Sequence, residues 1–210
     1  IIENLLPDIK DILRRFGSPL IRNQATIGGN ICTSSPIGDL SPIFLALGTN
    51  VTILSHDNEY QMPIEKFFIN YRKNTLKKFE LVKIFEISLP QKNYKFFSWK
   101  FSKRYDQDIS TVSIAIKIKL SNQIISDIKI AAGGVAEKPT VFDEFNSFMI
   151  GKNYKKGIEN ALNNVEKFVS PISDLRGTSE YRIGVFKGAF KKLKYSLENN
   201  TKPLSIMEIV

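Results

Sequence analysis

The chain has little of the chemistry that marks metal sites, disulfide frameworks and membrane spans. Its 210 residues include one cysteine, Cys32, and one histidine, His56. A single thiol forms neither an intrachain disulfide nor an iron–sulfur or zinc site. No stretch approaches the ~18 apolar residues of a membrane-spanning helix, and no basic segment followed by an apolar run predicts a signal peptide. We therefore expect no membrane partner and a reducing compartment, the cytoplasm.

Positive charge is in excess, at a formal net +9. The lysines are spread along the chain, however, and no zinc-finger, RNA-recognition or helix-turn-helix signature accompanies them. Nucleic acid is therefore not a predicted partner. A milder interpretation is that the positive potential attracts anionic dinucleotides.

Hydrophobic patterning predicts an α+β protein. With 42% hydrophobic residues the chain can bury a core, and its length suggests one or two domains. In the second half Ile114, Ile116 and Ile118 alternate with polar residues, which predicts a strand with one buried and one wet face. Strands followed by helices there predict helices packed on one face of an antiparallel sheet. The predicted helices are 7–16, a segment capped by Asp39 or Ser41 and ending at Gly48, 140–149, 154–169 and 179–197; the predicted strands are 51–54, 60–62, 81–89, 94–103, 111–120 and 124–132.

The segment from Ile21 to Asp39 is the most informative part of the sequence. It places a diglycine, Gly28 and Gly29, among amide, hydroxyl and carboxylate side chains between two apolar runs. Glycine adopts positive φ and lets backbone N–H groups approach a ligand closely. We therefore interpret the segment as a ligand-facing loop, against the alternative of two ordinary turns joined by a Ser/Thr-rich loop.

Four motifs in this chain, in order, resemble a known family. Residues 22–39 fit the pattern Arg-Asn-x-Ala-Thr/Ser-x-Gly-Gly-Asn-Ile-x-x-x-Ser-Pro-x-x-Asp, and residues 100–110 fit Lys-x-Ser-Lys-Arg-x-x-x-Asp-Ile-Ser/Ala. Residues 133–136 look like a Gly-Gly-Met-Ala turn, and residues 170–182 are similar to a Pro-x-x-Asp-x-Arg-x-Ser-x-x-Tyr-Arg run. Together they resemble the flavoprotein segment of the xanthine dehydrogenase family of molybdenum hydroxylases.

The resemblance implies a fold and a domain plan. Residues 1–91 correspond to the second half of an FAD-binding α/β domain of the PCMH-like type, 92–200 to an antiparallel sheet plus helices domain, and 201–210 to a tail. Nothing ahead of Ile21 can serve as the Gly-rich turn that cradles a dinucleotide pyrophosphate. We therefore expect this to be the C-terminal part of a longer flavoprotein, with an iron–sulfur domain and the first FAD half-domain upstream.

The resemblance also implies which residues contact FAD. The family's FAD-binding pentapeptide falls on Thr26, Ile27, Gly28, Gly29 and Asn30, its acidic contact on Asp39, its flavin-packing aromatic on Phe16, a mostly backbone contact on Val82, and its flavin-contacting lysine on Lys100. For Phe16 the alternative is plain core filling. Lys100 lies in an aromatic strand, where a buried charge needs a partner; its alternative is an edge-strand lysine pointing to water.

Two further groups match the family. The loop 102–109 is expected near the flavin, where it could gate nicotinamide access. We interpret Asp174, Arg176, Tyr181 and Arg182 as an ion-pair and capping cluster that seats the last helix.

Two functions follow as hypotheses. In the first, the chain is the FAD-binding part of an oxidoreductase that passes electrons from 2Fe-2S clusters through FAD to NAD and serves a large subunit holding the molybdenum cofactor, as in purine catabolism; the clusters and the molybdenum cofactor are not bound by this segment. In the second, it is a non-catalytic docking module that retains the fold without FAD. A Gly-rich FAD loop and cluster-binding cysteines upstream in the same gene would favour the first.

Overall fold

The structure is a computed structural model that describes residues 2–199. The predicted tail, 201–210, lies outside the described residues. The helices are α1 (Ile2–Leu5), α2 (Lys10–Arg14), α3 (Pro19–Gln24), α4 (Ile27–Cys32), α5 (Ser41–Leu47), α6 (Ile64–Phe67), α7 (Asp143–Met149), α8 (Tyr154–Asn164) and α9 (Ser179–Asn199). The strands are β1 (Asn50–Leu54), β2 (Glu59–Pro63), β3 (Phe68–Asn70), β4 (Lys73–Asn74), β5 (Leu81–Glu86), β6 (Tyr94–Phe101), β7 (Val112–Ser121), β8 (Ile124–Gly133) and β9 (Thr140–Val141). Short 3-10 turns precede α2 and follow α8, at Pro7–Ile9 and Val165–Lys167.

The first half contains a three-stranded antiparallel sheet in the order β2-β1-β5. The predicted hairpin is confirmed, with Val51 opposite Met62 across β1 and β2. Val51 and Ile53 are fully buried and pack with α5, all of whose side chains are buried. Gly48 ends α5 at φ +67°, the left-handed value for which glycine is the usual residue.

The second half contains a four-stranded antiparallel sheet in the order β6-β7-β8-β9. Helices α7, α8 and α9 pack on one face of it, as the sequence predicted, and the α+β class is confirmed. The core between them is dominated by isoleucine from the strands and phenylalanine from the helices, for example Ile114, Ile116, Phe186 and Phe190. Phe186 and Phe190 meet edge to face at 5.1 Å between ring centroids, a favourable aromatic geometry.

The opposite face of this sheet is not the wet surface that alternation predicted. Helix α5 packs on β7 and β8 there, and Ala115 and Ala131 are fully buried beneath it. Two small side chains let the helix lie close to the strands. Only toward the far end of β7 does this face open, where Lys117 and Lys119 are half-buried against the Tyr94 ring. The sheet is therefore shared by both halves of the chain.

Several boundaries differ from the prediction. The helix predicted over 140–149 begins at Asp143, because Thr140 and Val141 pair with β8 as an edge strand. The helix predicted over 154–169 ends in a 3-10 turn at Val165–Lys167. The sequence did not predict the small hairpin of β3 and β4 or the short helices α1, α3, α4 and α6.

Candidate functional site

The segment from Ile21 to Asp39 contains helical turns as well as a loop. Ser18 caps α3, with its Oγ accepting from the Ile21 N–H at 3.2 Å, and Pro19 occupies the first turn. Thr26 caps α4, with its Oγ1 accepting from the Gly29 N–H at 2.9 Å. The structure thus puts the diglycine in the first turn of α4. The proposed positive φ at Gly28 and Gly29 is wrong, because these capped turns hold the backbone in the right-handed helical region.

The absence of side chains at the diglycine still matters, for a different reason. Apart from Gly28 itself, its chain neighbours and the backbone of α4, no heavy atom lies within 4 Å of the position that a Cβ on Gly28 would occupy, so the backbone there is open to an approaching molecule. A Cβ on Gly29 would lie 3.0 Å from Thr26 Oγ1, tight against the capping hydroxyl. Gly28 leaves room for a ligand, and Gly29 leaves room for the cap.

A cleft of about 320 Å³ lies between α2 and the start of α4. Its lining is largely apolar and is rimmed by two arginines: Leu13, Arg14, Phe16, Arg22, Ala25, Thr26, Ile27 and Leu40. Arg22 is held in place by hydrogen bonds from Nη1 to the carbonyls of Phe16 and Gly17 at 2.9 and 3.1 Å. A mostly apolar cleft with a few fixed polar groups is the usual form of a small-molecule site, and its volume is at the lower end of that range.

A buried ion pair lies beside this cleft. Lys100 Nζ donates to Asp39 Oδ2 at 2.7 Å and to the Arg15 carbonyl at 3.0 Å, and its side chain is 1% exposed. The alternative of a lysine pointing to water is therefore wrong. Lys100 is on an edge strand, but α2 covers that edge and Asp39 supplies the partner that a buried charge requires. Arg15, whose carbonyl accepts from Lys100, directly precedes Phe16 of the cleft lining. Asp39 directly precedes Leu40, another lining residue, so two chain segments connect the ion pair to the cleft.

The second oxygen of Asp39 is also bound. Ser110 Oγ donates to Asp39 Oδ1 at 2.6 Å, and Ser110 is fully buried. An ammonium group has three donors, of which Asp39 and Arg15 take two among the described residues. A carboxylate accepts more than two bonds in all, so both partners of the pair retain hydrogen-bonding capacity.

Arg15 fixes the loop 102–109 against α2. Its guanidinium donates to the carbonyls of Lys100 and Tyr105 at 2.8 and 2.9 Å and to Ser102 Oγ at 3.0 Å. It also lies 4.7 Å over the Tyr105 ring. Within the loop, the backbone N–H of Arg104 bonds to Asp108 and lowers the pKa of that carboxyl. Hydrogen bonds from Arg15 to Ser102 and Tyr105, and the bond between Arg104 and Asp108, thus hold the loop in place.

Asn30 and Val82 are placed differently from the rest of the predicted set. Asn30 faces back into the segment, where its Oδ1 accepts from the Leu40 N–H at 3.4 Å. Val82 lies opposite Ile53 on β5, and its side chain packs against the core of the first half. Phe16, Thr26 and Ile27 line the cleft, Gly28 and Gly29 adjoin it on α4, and Asp39 pairs with Lys100 next to it. Val82 lies outside the residues that line the cleft.

Three residues of the predicted cluster around the last helix, Asp174, Arg176 and Arg182, form an ion-pair network, and Tyr181 does not join it. Arg182 is 1% exposed and binds Asp174 Oδ1 at 2.6 Å, the Gly134 carbonyl at 3.2 Å and the Thr111 carbonyl. Burial alone would raise the pKa of Asp174, but bonds from the Arg176 N–H and from Arg182 lower it. Tyr181 is half exposed and outside the ion-pair network, its N–H bonding to Thr178 at 3.2 Å.

The second diglycine is the one that requires close backbone approach. A Cβ on Gly133 would lie 2.6 Å from the Pro36 carbonyl oxygen, and one on Gly134, at φ +86°, would lie 2.2 Å from the Thr111 carbonyl oxygen. The Gly134 N–H donates to Pro36 at 2.7 Å. This turn seats the 21–39 segment on the second sheet.

Sequence reasoning missed the roles of Arg15 and Ser110. A signal for Ser110 was present, since it closes a quoted motif two residues after Asp108. The signal for Arg15 was weaker, because a helical arginine before an aromatic residue is ordinarily a surface residue. The partner of Lys100 followed in principle from the need of a charge in an aromatic strand for a carboxylate.

This α+β scaffold with a mostly apolar cleft and a buried Lys–Asp pair has the form of a module that binds a small molecule or cofactor. Residues 1–92 match the family model described as "FAD binding domain in molybdopterin dehydrogenase", and residues 97–197 match "CO dehydrogenase flavoprotein C-terminal domain". The chain therefore belongs to the flavoprotein family of the molybdopterin dehydrogenases, and the predicted fold is confirmed. FAD is the cofactor of this family.

Relatives with known names agree with this assignment. The chain is 32% identical over 148 residues to xanthine dehydrogenase of Emericella nidulans, covering 70% of this chain and 11% of that protein. It is 31% identical over 188 residues to the glyceraldehyde dehydrogenase medium chain of Sulfolobus acidocaldarius, covering 89% and 66%. The chain thus spans a small part of the xanthine dehydrogenase that it matches and about two thirds of the medium chain.

Solved structures show the same fold. Carbon monoxide dehydrogenase from Hydrogenophaga pseudoflava superposes with a TM-score of 0.82 at 22% identity, covering 91% of this chain and 67% of that one. Quinoline 2-oxidoreductase from Pseudomonas putida 86 gives a TM-score of 0.82 at 19% identity, covering 96% and 70%. Within residues 2–199, no helix has the length and apolar content needed to cross a bilayer, and no three His, Cys, Asp or Glu side chains are grouped as a metal site.

Proposed function

We propose that this chain is the FAD-holding part of a molybdenum-hydroxylase-type oxidoreductase, similar to xanthine dehydrogenase, in which electrons pass from iron–sulfur clusters through FAD to NAD. The observation that carries the proposal is an apolar cleft whose lining residue Leu40 directly follows Asp39 of the buried Lys100–Asp39 pair in the chain. An apolar wall suits an aromatic ring, and fixed polar groups at its edge orient that ring.

The residues present fit FAD at this position. The open backbone at Gly28 leaves space that a Cβ would fill, and Phe16 offers an aromatic surface in the cleft wall. Lys100 and Asp39 retain hydrogen-bonding capacity next to it. We assign binding roles to Phe16, Thr26, Ile27, Gly28, Gly29, Asn30, Asp39, Val82 and Lys100, of which Val82 rests on its match to the family pattern alone.

Each group has a physical task. FAD, when bound, supplies hydride and electron transfer, and the protein supplies orientation and electrostatics. Phe16 and Ile27 exclude water from the apolar wall. Lys100 places a positive charge, balanced by Asp39, at the edge of the cleft, where it stabilises added negative charge. The Arg15 carbonyl accepts from Lys100 Nζ. The Arg15 guanidinium donates to Tyr105 and Ser102, and these bonds hold Arg15 in place.

The rest of the assembly follows as part of the same proposal. We propose domain limits of 1–91 and 92–200, an iron–sulfur domain upstream in the same chain, a large subunit that holds the molybdenum cofactor, and a purine or similar heterocycle as substrate. The single cysteine fits a reducing cytoplasm.

The test is the flavin content of the full-length protein and of one matched pair of variants. Phe16→Ala removes the aromatic wall, whereas Leu20→Ala removes a side chain of α3 that is 79% exposed and outside the cleft lining. We expect Phe16→Ala to weaken FAD binding at least tenfold and Leu20→Ala to leave it unchanged. A full-length protein without flavin would support the docking-module alternative. For the acceptor, NADH added anaerobically should bleach the flavin absorbance, and no bleaching would refute the assignment of NAD.

A further inference from the structure

We propose that Ser110 is a positioning residue of the FAD site, acting through Asp39 on the charge that Lys100 presents to the cofactor. Ser110 lies outside the set of cofactor-contacting residues assigned above. The inference rests on the proposed function, because it concerns the same cleft.

The geometry makes Ser110 the second anchor of the Asp39 carboxylate. Ser110 Oγ lies 2.6 Å from Oδ1, while Lys100 Nζ lies 2.7 Å from Oδ2. One hydroxyl and one ammonium therefore fix both oxygens, and with them the plane of the carboxylate. All three residues are nearly or fully buried, with Ser110 at 0%, Lys100 at 4% and Asp39 at 7% exposure. Water does not compete for these bonds.

Ser110 itself is held by the backbone on its far side. The Thr111 N–H donates to the Phe101 carbonyl at 2.7 Å, and the Thr111 carbonyl accepts from the buried Arg182 guanidinium. Ser110 is thus pinned next to the start of β7, between the strand that carries Lys100 and the segment that carries Asp39. Because the backbone around it is fixed, the Ser110 hydroxyl has little freedom to donate to an acceptor other than Asp39.

The bond has an electrostatic consequence for the cleft. The hydroxyl dipole points its hydrogen at Asp39 and offsets part of the carboxylate's negative charge, so that Lys100 is less completely neutralised by its partner. Without the hydroxyl, the pair presents a more negative potential. A more negative site disfavours the reduced, negatively charged form of a bound flavin relative to the oxidised form.

The test uses Ser110→Ala in the full-length holoprotein, with Ser113→Ala as the matched control. Ser113 is also fully buried and near the start of β7, but its hydroxyl bonds to the Gly38 carbonyl at 3.3 Å and not to Asp39. We expect Ser110→Ala to lower the ratio of affinities for reduced over oxidised FAD by up to about fivefold, because the energy of the one lost hydrogen bond is the upper bound of its effect on the neighbouring flavin. For a two-electron couple this is a fall of up to about 20 mV in the flavin midpoint potential. Ser113→Ala should leave the potential unchanged.

A double-mutant cycle separates positioning from a general structural effect. In an Asp39→Asn background the carboxylate is absent, so Ser110→Ala should no longer move the potential. Equal shifts for Ser110→Ala and Ser113→Ala, or a Ser110→Ala shift that persists in the Asp39→Asn background, would overturn the inference. A wild-type protein that binds no FAD would instead refute the proposed function itself. If Ser110→Ala fails to fold, Ser110→Thr, which keeps the hydroxyl, should bind FAD at the wild-type potential, and a shifted potential there would also overturn the inference.

Discussion

Lys100→Met is the substitution with the best-defined consequence. It removes the ammonium group and keeps a side chain of similar length, leaving Asp39 buried with Ser110 as its remaining donor. Removal of one partner from a buried ion pair costs about 3–5 kcal/mol of unfolding free energy, because the other charge stays desolvated without compensation. For a cooperatively unfolding unit of roughly 150–250 residues, that loss lowers Tm by roughly 6–20 °C.

The assay is chemical or thermal denaturation of the full-length apoprotein, followed by circular dichroism. Lys83→Met is the matched control, since Lys83 pairs with Glu59 at 2.5 Å but both side chains are 44% exposed. An exposed pair contributes about 0–1 kcal/mol, so the Lys83→Met control should change the unfolding free energy very little. The double variant Lys100→Met/Asp39→Asn should recover most of the loss, because no uncompensated charge remains in the core.

The result that would refute this reasoning is a cost at Lys100 no larger than that at Lys83. Lys100 would then be reached by water, and its pairing with Asp39 would have no bearing on the site. A large cost that the double variant fails to recover would mean instead that Lys100 acts through packing of its stem, independently of the carboxylate.

Three further outcomes are expected. Gly28→Ala should leave the unfolding free energy unchanged or raise it by up to about 1 kcal/mol, because α4 gains a helix-favouring residue in open space. The same substitution should lower FAD affinity, measured by equilibrium dialysis. An unchanged affinity would show that FAD does not approach this backbone. Asp174→Asn should destabilise the protein by about 1 kcal/mol at neutral pH, since Asp174 is an exposed residue and solvent screens its bonds to Arg176 and Arg182. Because the pKa of Asp174 is lowered in the fold, the wild type loses this stability as pH falls below about 4, so urea titrations of the two proteins should converge there. Asp57→Asn, at an 82% exposed side chain, should show no difference at either pH. In the holoprotein, Lys100→Met should lower the flavin midpoint potential by about 20–65 mV, corresponding to about 1–3 kcal/mol for a two-electron couple; a redox titration with an unchanged potential at full FAD occupancy would remove Lys100 from the site.

Local periodicity predicted the second half of the fold well. The spacing of apolar residues in α9 and the alternation in β7 follow directly from burial on one side of each element. What the alternation at Ala115 could not reveal is that α5, far away in sequence, covers the other face. A small apolar residue between isoleucines is compatible with either a wet or a covered face, so only tertiary contacts decide.

The sequence supplied a list of candidate site residues, which stay a prediction, but not their geometry. The motif match brought Asp39 and Lys100 onto one list, but their bond across 61 positions is a property of the fold. Gly28 and Gly29 are interpreted from the sequence as part of a ligand-facing loop because the helix signal is weak: α4 has six residues, two of them glycine. The cap at Thr26 supplied the hydrogen bond that favoured helix over turn.

The most direct test of the central claim is an experimental structure of the full-length protein with FAD bound. The account predicts the isoalloxazine ring against Phe16 in the cleft between α2 and α4, with Lys100 still paired with Asp39. Because the Lys100 side chain is 1% exposed without the cofactor, a hydrogen bond from Nζ to the ring requires the side chains that cover it to move aside. A flavin bound elsewhere, with Phe16 and the Lys100–Asp39 pair out of contact with it, would contradict the account.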